Sequence, residues 1–490
     1  MYFHPLALTA VLLCQEPADS CLPQPGALEL TGRLIVQPLP DADAAARALL
    51  GEAILEVAPE VREMRVQVPA GRADLEFAAE LAATGLFAYA HPDWLCFPVG
   101  TPNDPLYVSQ WHHVKMQSEA AWDWITDTSS VIFANTDTGV DLAHPDLAAS
   151  LVSGFNSASD LEQSQGGLVN DINGHGTATA GCAAAIGNNG VGTAGVGWNM
   201  KLMPIRVTNN PNGSAALWDI DQGARWAAEN GARVVSTSFT GVRASSNDTT
   251  GAYLRTLGAL WVWGIDNSNM AYPAGQPNLT VVVGTDQNDL RWSSSSWGHL
   301  GDCSAPCVDI WYTTNGGGWG SGSGTSFAAP LVAGVLGTMF AANPFLTAAD
   351  CEERMFRACD DLGAAGDDNV FGRGRVNLER AVLEAIGGTL TLAVTNLVAG
   401  QTATFDFTGA QPGATVWIAY STTGTGITQV PQISVSLALA APAPLASQFA
   451  DAAGAGSLAL AVPASVQGMA VWFQAVETGN GSPFVAAVVQ

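Results

Sequence analysis

An α/β domain on a doubly wound parallel sheet, preceded by a small α+β domain and followed by a β-sandwich-like domain, is the fold class that three features of the 490-residue sequence predict. From about residue 101 to 386, apolar runs alternate with Ala-rich helical patterns, as in βαβ units whose reactive groups gather at the carboxyl ends of the strands. Residues 33 to about 98 mix strand and helix patterns in one short stretch. From 388 to 490 the pattern has period two, broken by Gly, Pro and Thr turns. Hydrophobic residues make up 48% and charged residues 13%, which supplies material for a large core.

The chain opens on a short apolar stretch, Pro5 to Leu13, followed by the small-residue exit Ala18-Asp19-Ser20, which makes residues 1–21 the candidate signal segment of an exported protein. The stretch departs from the usual pattern, since no Lys or Arg occurs before Arg33. Next, Arg33 to Pro38 predicts a strand, Asp41 to Leu50 a helix, Met64 to Val68 a strand, Ala73 to Thr84 a helix and Leu86 to Ala90 a strand. A Pro-rich joint, Phe97 to Pro105, reads as a linker and cleavage region. In the central domain strands are expected at Val131 to Asn135, Leu202 to Val207, Val234 to Val235, Leu260 to Trp263 and Thr280 to Gly284. Ala216 to Asn230 and Ser326 to Ala342 read as helices. The last domain alternates over Thr402 to Phe407, Thr415 to Tyr420 and Val471 to Val476, and with no Lys, Arg or His after Arg380 it leaves acid–base chemistry to the rest of the chain.

A net charge of −26, with only two lysines, Lys115 and Lys201, excludes nucleic acid as a partner, because its phosphates would be repelled. No apolar run is long enough for an integral membrane segment. Eight cysteines in so long a chain do not make a disulfide scaffold. Cys303 with Cys307, and Cys351 with Cys359, are close enough in sequence to be oxidised after export. The second pair sits on one helix, where eight residues span about 12 Å, too far for a bridge. Neither pair has a His or CxxC spacing for zinc, and Cys182 reads as a small core residue.

Four residues carry chemistry. Asp137 follows an apolar strand, so its carboxylate emerges at the strand's carboxyl end; His175 opens a run of small residues that reads as a tightly packed helix; Asn267 follows another strand. Ser326 stands at the entrance of the apolar helix that ends before Asn343-Pro344, beside unpaired N–H groups and the positive end of the helix dipole. Each alone has an ordinary structural explanation: N-cap serine, turn aspartate, core histidine. Together they fill every role of acyl transfer, with Ser326 as nucleophile, His175 as general base, Asp137 orienting the imidazole, and Asn267 with the Ser326 N–H stabilising an oxyanion.

The stretches Asp137-Thr-Gly-Val-Asp-Leu-Ala-His-Pro-Asp-Leu147, Gly174-His-Gly-Thr177, Gly324-Thr-Ser-Phe-Ala-Ala-Pro330 and Val370-Phe-Gly-Arg-Gly-Arg-Val-Asn377, in that order, resemble the subtilisin-like serine peptidases over roughly residues 102 to 386. The resemblance implies a secreted or cell-surface serine endopeptidase acting on protein or peptide substrates. It implies domains at 22–100 (propeptide, an intramolecular chaperone and inhibitor), 101–386 (catalytic) and 387–490 (β-sandwich-like accessory). It further implies that Ser238, Phe239, Thr240 and Gly241 pair with an extended substrate as an added strand. A structural Ca2+ is implied on Gln110, Asp146, Asn189, Val191 and Thr193, and no organic cofactor.

The sequence also departs from the family. Asp266 replaces a usual glycine next to Asn267, Thr240 stands where a glycine is usual, Cys307 replaces another, and only Ser268 to Ala271 separate Asn267 from Tyr272, which remodels the primary specificity pocket. The competing reading is therefore a catalytically impaired, peptide-binding or surface protein on the same fold. An aspartic peptidase, suggested by Asp137-Thr-Gly, lacks the second copy of that motif.

Overall fold

The computed structural model describes residues 30–69, 72, 74–94, 101–387 and 390–490. The candidate signal segment and part of the joint lie outside the described residues. Two units emerge, one of residues 99–386 and one formed by residues 1–98 together with 387–490.

In the second unit, the N-terminal part carries strands β1 (Leu30–Pro38), β2 (Ile54–Ala58), β3 (Glu63–Gln67) and β4 (Phe87–Trp94), with helices α1 (Asp43–Leu50) and α2 (Asp74–Ala83). The order β2-β3-β1-β4 gives an antiparallel sheet whose apolar face, Leu34, Val36, Met64 and Val66, closes on Ala46, Leu50, Ala78 and Leu81. β2 is an addition to the sequence prediction. Its Leu55 is about half exposed, so an edge strand here lacks the clean alternation of its neighbours. The C-terminal part is antiparallel throughout: three strands around Thr402–Thr408 and five around Thr415–Ser421 and Ala470–Glu477, sharing a core of Phe405, Phe407, Ile418 and Phe473.

The 99–386 unit holds the site. Its short helices α3 (Trp111–Lys115) and α4 (Ser118–Trp122) precede β5 (Ile132–Asp137), β6 (Phe155–Asn156), β7 (Leu161–Glu162), α5 (His175–Ala184), β8 (Lys201–Arg206), α6 (Leu217–Glu229) and β9 (Ala232–Thr237). Then come α7 (Ser245–Thr256), β10 (Leu260–Gly264), β11 (Ala271–Tyr272), β12 (Thr280–Thr285), β13 (Trp297–Gly298), β14 (Cys303–Pro306), β15 (Ile310–Thr314), β16 (Gly318–Gly322), α8 (Thr325–Ala342), α9 (Ala348–Ala358) and α10 (Leu378–Ile386). The main sheet runs β14-β12-β10-β9-β5-β8-β6-β7 and is parallel except for the β6–β7 pair. It is thus a parallel-rich mixed sheet rather than a purely parallel one.

Met203, Ile205, Val235, Trp261 and Trp263 of the sheet pack on Ile220, Ala224, Ala227 and Leu254 of α6 and α7. On the other face lies α8, apolar all round and buried along nearly its whole length, as a central helix must be. Among the described residues it is the one helix long and apolar enough to cross a membrane, yet 94% of that stretch is buried in protein. Cys182, Cys303, Cys307, Cys351 and Cys359 are all buried and unbridged, so neither suggested cysteine pair is joined. Helix α9 continues unbroken from Ala348 to Ala358, which keeps Cys351 and Cys359 apart.

Candidate active site

Asp137 is the last residue of β5 and fully buried. Its Oδ1 accepts the Thr138 N–H at 2.7 Å and lies 2.8 Å from His175 Nδ1; its Oδ2 lies 3.0 Å from the same nitrogen and accepts the Thr179 hydroxyl at 3.2 Å. Two carboxylate oxygens facing one nitrogen make Nδ1 the protonated one, leaving Nε2 as the basic lone pair. Helix α5 can approach this closely because its second residue is Gly176: a Cβ there would stand 2.1 Å from the Gly139 carbonyl oxygen and 3.1 Å from the Asp137 Cβ.

A second carboxylate, Asp171, sets the turn that carries His175. It accepts the N–H groups of Asn173, Gly174 and Thr177 and the hydroxyls of Thr138 and Thr177. These donors hold the Asp171 carboxyl below the usual range despite its burial. The Asp137 charge, with a smaller contribution from Asp171, raises the His175 pKa above 6.5 against the opposing cost of burial. The sequence reading did not single out Asp171, Thr138 or Thr179. Asp171 lying two and three residues before Asn173 and Gly174 is an Asx-turn spacing that pointed to it.

Ser326 sits in the first turn of α8, among N–H groups with no intrahelical partner. Pro330, four residues on, has no N–H to offer the Ser326 carbonyl, so that carbonyl instead accepts the Ser238 hydroxyl at 3.0 Å. This bond ties the start of α8 to the segment that leaves β9. Asn267, beyond the end of β10, accepts the Thr325 N–H at 3.0 Å and the Thr325 hydroxyl at 2.9 Å through its Oδ1. Its carbonyl oxygen is thereby turned to the helix start. Gly264 permits this approach, since a Cβ would lie 2.8 Å from the Thr325 carbonyl oxygen.

The structure thus brings Asp137 and His175 into direct contact and places Ser326 and Asn267 together, while α5 packs against α8. The Phe239 ring centre lies 6.3 Å from that of His175, and the preceding Ser238 bonds the Ser326 carbonyl. Among the described residues no hydrogen bond runs from Ser326 Oγ to His175. Of the other expected substrate contacts, Thr240 and Gly241 are exposed on the continuation of β9.

Around the loop expected to hold calcium, Asp146, Asn189, Val191 and Thr193 are linked by hydrogen bonds, while Gln110 bonds Ala194. Asp146 is fully buried; its carboxylate accepts Asn189 Nδ2 at 2.9 Å, the Thr193 N–H at 3.0 Å and Trp319 Nε1 at 3.0 Å. Asn189 Oδ1 accepts the Val191 N–H at 2.7 Å. Gln110 is turned elsewhere: its amide makes two 2.8 Å bonds with the N–H and C=O of Ala194. The acid facing the loop is Asp104, which accepts the Asn188 N–H at 2.6 Å. Burial raises the Asp104 and Asp146 pKa values, and the Asp146 charge raises Asp104 further. Two buried neighbouring carboxylates form no ion pair among the described residues, and such a donor set fits a hard dication. No cluster of three or more His, Cys, Asp or Glu occurs among the described residues, so any such ligand set must draw on amide and backbone oxygens.

Comparison with known proteins bears on this geometry. The subtilase family model matches residues 128–374. Thermitase of Thermoactinomyces vulgaris is 36% identical over 287 residues, which is 58% of this chain and 99% of thermitase. A thermophilic serine proteinase of Bacillus sp. (strain AK1) is 32% identical over 302 residues, covering 61% of this chain and 73% of its own. The extracellular protease of Xanthomonas campestris pv. campestris is 29% identical over 429 residues. A solved protease structure from Pseudoalteromonas arctica superimposes with a TM-score of 0.52 at 28% identity, covering 58% of this chain and all of that one. With the family's segments folded into the arrangement described, the chain belongs to the subtilase family and is a subtilisin-like serine endopeptidase.

Proposed function

We propose that this endopeptidase works through Asp137, His175 and Ser326 as its triad, with Asn267 as oxyanion donor. One observation carries the reading: His175 Nδ1 faces both oxygens of a fully buried Asp137, which leaves Nε2 as the base, on a helix that packs against the one carrying Ser326. Substrate lies along Ser238 to Gly241 as an added strand. Ser326 Oγ attacks the scissile carbonyl carbon as His175 Nε2 takes its proton, and the carbonyl electron pair moves to an oxyanion facing Asn267 Nδ2 and the Ser326 N–H. Collapse of that adduct breaks the C–N bond, His175 returns the proton to the leaving amine, and water repeats the sequence on the acyl-enzyme. The Ser326–His175 hydrogen bond closes as substrate binds, as such bonds commonly do.

The deciding experiment is labelling with a fluorophosphonate probe. Wild-type protein should react, and Ser326→Ala and His175→Ala should not; a mature protein that folds but takes no label would favour the impaired, peptide-binding reading. No structural observation favours that second reading. Similarity to a relative named extracellular protease supports secretion here. The α+β part at the N-terminus serves as the intramolecular inhibitor, and cleaving after it should release activity.

The loop Asn188 to Thr193 would hold Ca2+ through the Asp104, Asp146 and Asn189 side chains and the Val191 and Thr193 carbonyls, with Asp104 in place of Gln110. The bound ion would offset the repulsion of two buried acids and fix the N-terminal segment of this unit to the loop. Removing it with a chelator should lower the melting temperature, and Asp104→Asn should weaken that effect; a melting temperature indifferent to calcium would rule the site out.

A further inference from the structure

The proposed site has two halves on different elements: Asp137 with His175 at the start of α5, and Asn267 with the Thr325–Ser326 start of α8. Strands β15 and β16 pair only with each other, Tyr312 opposite Gly320 and Thr313 opposite Trp319, and stand apart from the main sheet. A two-stranded ribbon is marginal by itself, so what it touches decides where it lies. Its second strand runs out through Ser323 and Gly324 into Ser326, and the Asp309 N–H closes its base by donating to Ser323 Oγ at 2.9 Å.

Successive side chains of a strand point to opposite faces, and here the two faces lead to the two halves. Thr313 is fully buried, and its hydroxyl donates at 2.6 Å to the carbonyl of Thr177, two residues after His175 in the first turn of α5. No gap separates the ribbon from that helix: a Cβ on Gly181, one turn further along α5, would lie 2.2 Å from Thr313 Oγ1. At the ribbon's tip the Gly316 N–H donates to Asp141 Oδ2 at 2.8 Å, four residues beyond Asp137. On the other face the Tyr312 ring stacks on the Phe327 ring, with centres 4.8 Å apart and planes 13° from parallel, and Phe327 adjoins Ser326. The partner strand leaves that stack its room, since a Cβ on Gly322 would lie 3.2 Å from the Tyr312 hydroxyl oxygen and 3.5 Å from the Phe327 ring.

We propose that Thr313 and Tyr312 are positioning residues which, through this ribbon, set the separation between His175 and Ser326 for proton transfer. The proposal rests on those two being the reacting pair. Among the described residues neither Thr313 nor Tyr312 hydrogen-bonds to His175 or Ser326. Thr313 holds the ribbon to the helix that carries the base, and Tyr312 passes that position to the residue beside the nucleophile. Breaking either link leaves each half of the site intact but lets the halves drift apart, and a displacement of about 1 Å costs up to about a hundredfold in rate.

Thr313→Val keeps the shape and removes the donor. Rates on a short peptide amide are divided by the concentration of sites that a fluorophosphonate titrates. On that basis kcat should fall about tenfold while KM changes less than about twofold, and Thr313→Ser should restore most of the rate. Tyr312→Leu, at a half-buried position, should lower kcat in the same way, and Tyr312→Phe, which keeps the stack, should recover it. The two links act in series, so the double variant Thr313→Val with Tyr312→Leu should be no slower than the slower single one. The acid limb of kcat/KM should keep its midpoint, because the Asp137–His175 contact is untouched. A merely structural role would lower the melting temperature and the number of titratable sites but leave kcat per site as it was. That result, a loss confined to KM, additive losses in the double variant or a displaced acid limb overturns the proposal. If Thr313→Val does not fold, Tyr312→Leu with its Tyr312→Phe control decides alone. Cleavage that survives in Ser326→Ala would instead sink the nucleophile assignment, whatever the ribbon variants do.

Discussion

Acid should unfold the 99–386 unit through two adjacent histidines rather than through its catalytic one. His112 and His113, both on α3, are fully buried, with ring centres 4.4 Å apart. His113 Nδ1 lies 3.0 Å from Ser118 Oγ and Nε2 lies 3.0 Å from the Ala194 carbonyl oxygen; among the described residues neither ring nitrogen of His112 has a hydrogen-bond partner. Burial lowers the His113 pKa from 6.5 to about 4 and drives His112 well down as well. A folded pKa below the unfolded one means that the fold holds the neutral form, so the unfolded chain binds more protons once pH drops under 6.5. Stability is therefore intact above pH 6.5 and lost as pH falls toward 4. At pH 5 the His113 difference alone amounts to about 2 kcal/mol, rising to about 3 kcal/mol near pH 4, and His112 adds loss of the same sign. Against a typical total of about 5–15 kcal/mol this is a large share. His175 has the opposite sign, since its raised pKa gives stability present below 6.5 and lost above, and so does buried Asp302, whose carboxyl is pushed up to about 8 and gains stability as pH falls; the pair's contribution is therefore read from the difference in slope between wild type and a histidine variant. The assay is urea unfolding at a series of pH values in a Ser326→Ala background, which prevents self-digestion. His113→Gln should be less stable at pH 8 yet lose about one proton's worth of slope between pH 6.5 and 5. An unchanged slope in that variant would refute the argument.

Asn267→Ala should lower kcat about a hundredfold or more with KM little changed, measured on a peptide substrate, because it deletes one oxyanion donor. The pH profile of kcat/KM should fall on the acid side with a midpoint above 6.5, since His175 must be neutral to act and Asp137 raises its pKa. Asp137→Asn should both depress the rate steeply and shift that limb. Gly176→Ala should destabilise the fold markedly in thermal melts, as a Cβ 2.1 Å from the Gly139 carbonyl oxygen must push α5 off β5 and draw His175 from Asp137.

Sequence reading located what local chemistry controls and missed what only distant partners decide. The apolar runs of β5, β8, β9, β10 and β12 were found within two or three residues because buried parallel strands are nearly continuous in hydrophobicity, and α8 announced itself through unbroken small and apolar residues. Asp137, His175, Ser326 and Asn267 each follow or open such an element, so their approximate location came with the elements. Asp104 and Gln110 are harder to separate. Both are polar and lie six residues apart, and what separates them is Ala194, more than eighty residues away, whose backbone bonds both ends of the glutamine amide while the aspartate accepts the loop N–H of Asn188. Asp266 makes the same point in the active region. As a sequence departure it signalled negative charge beside a developing oxyanion, a reason to doubt activity. Its hydroxyl partners, one of them thirty residues on, instead hold the carboxylate against Tyr272 and Ser296. The consequence of a substituted residue depends on where its charge is held, and that is set by the residues that fold back onto it.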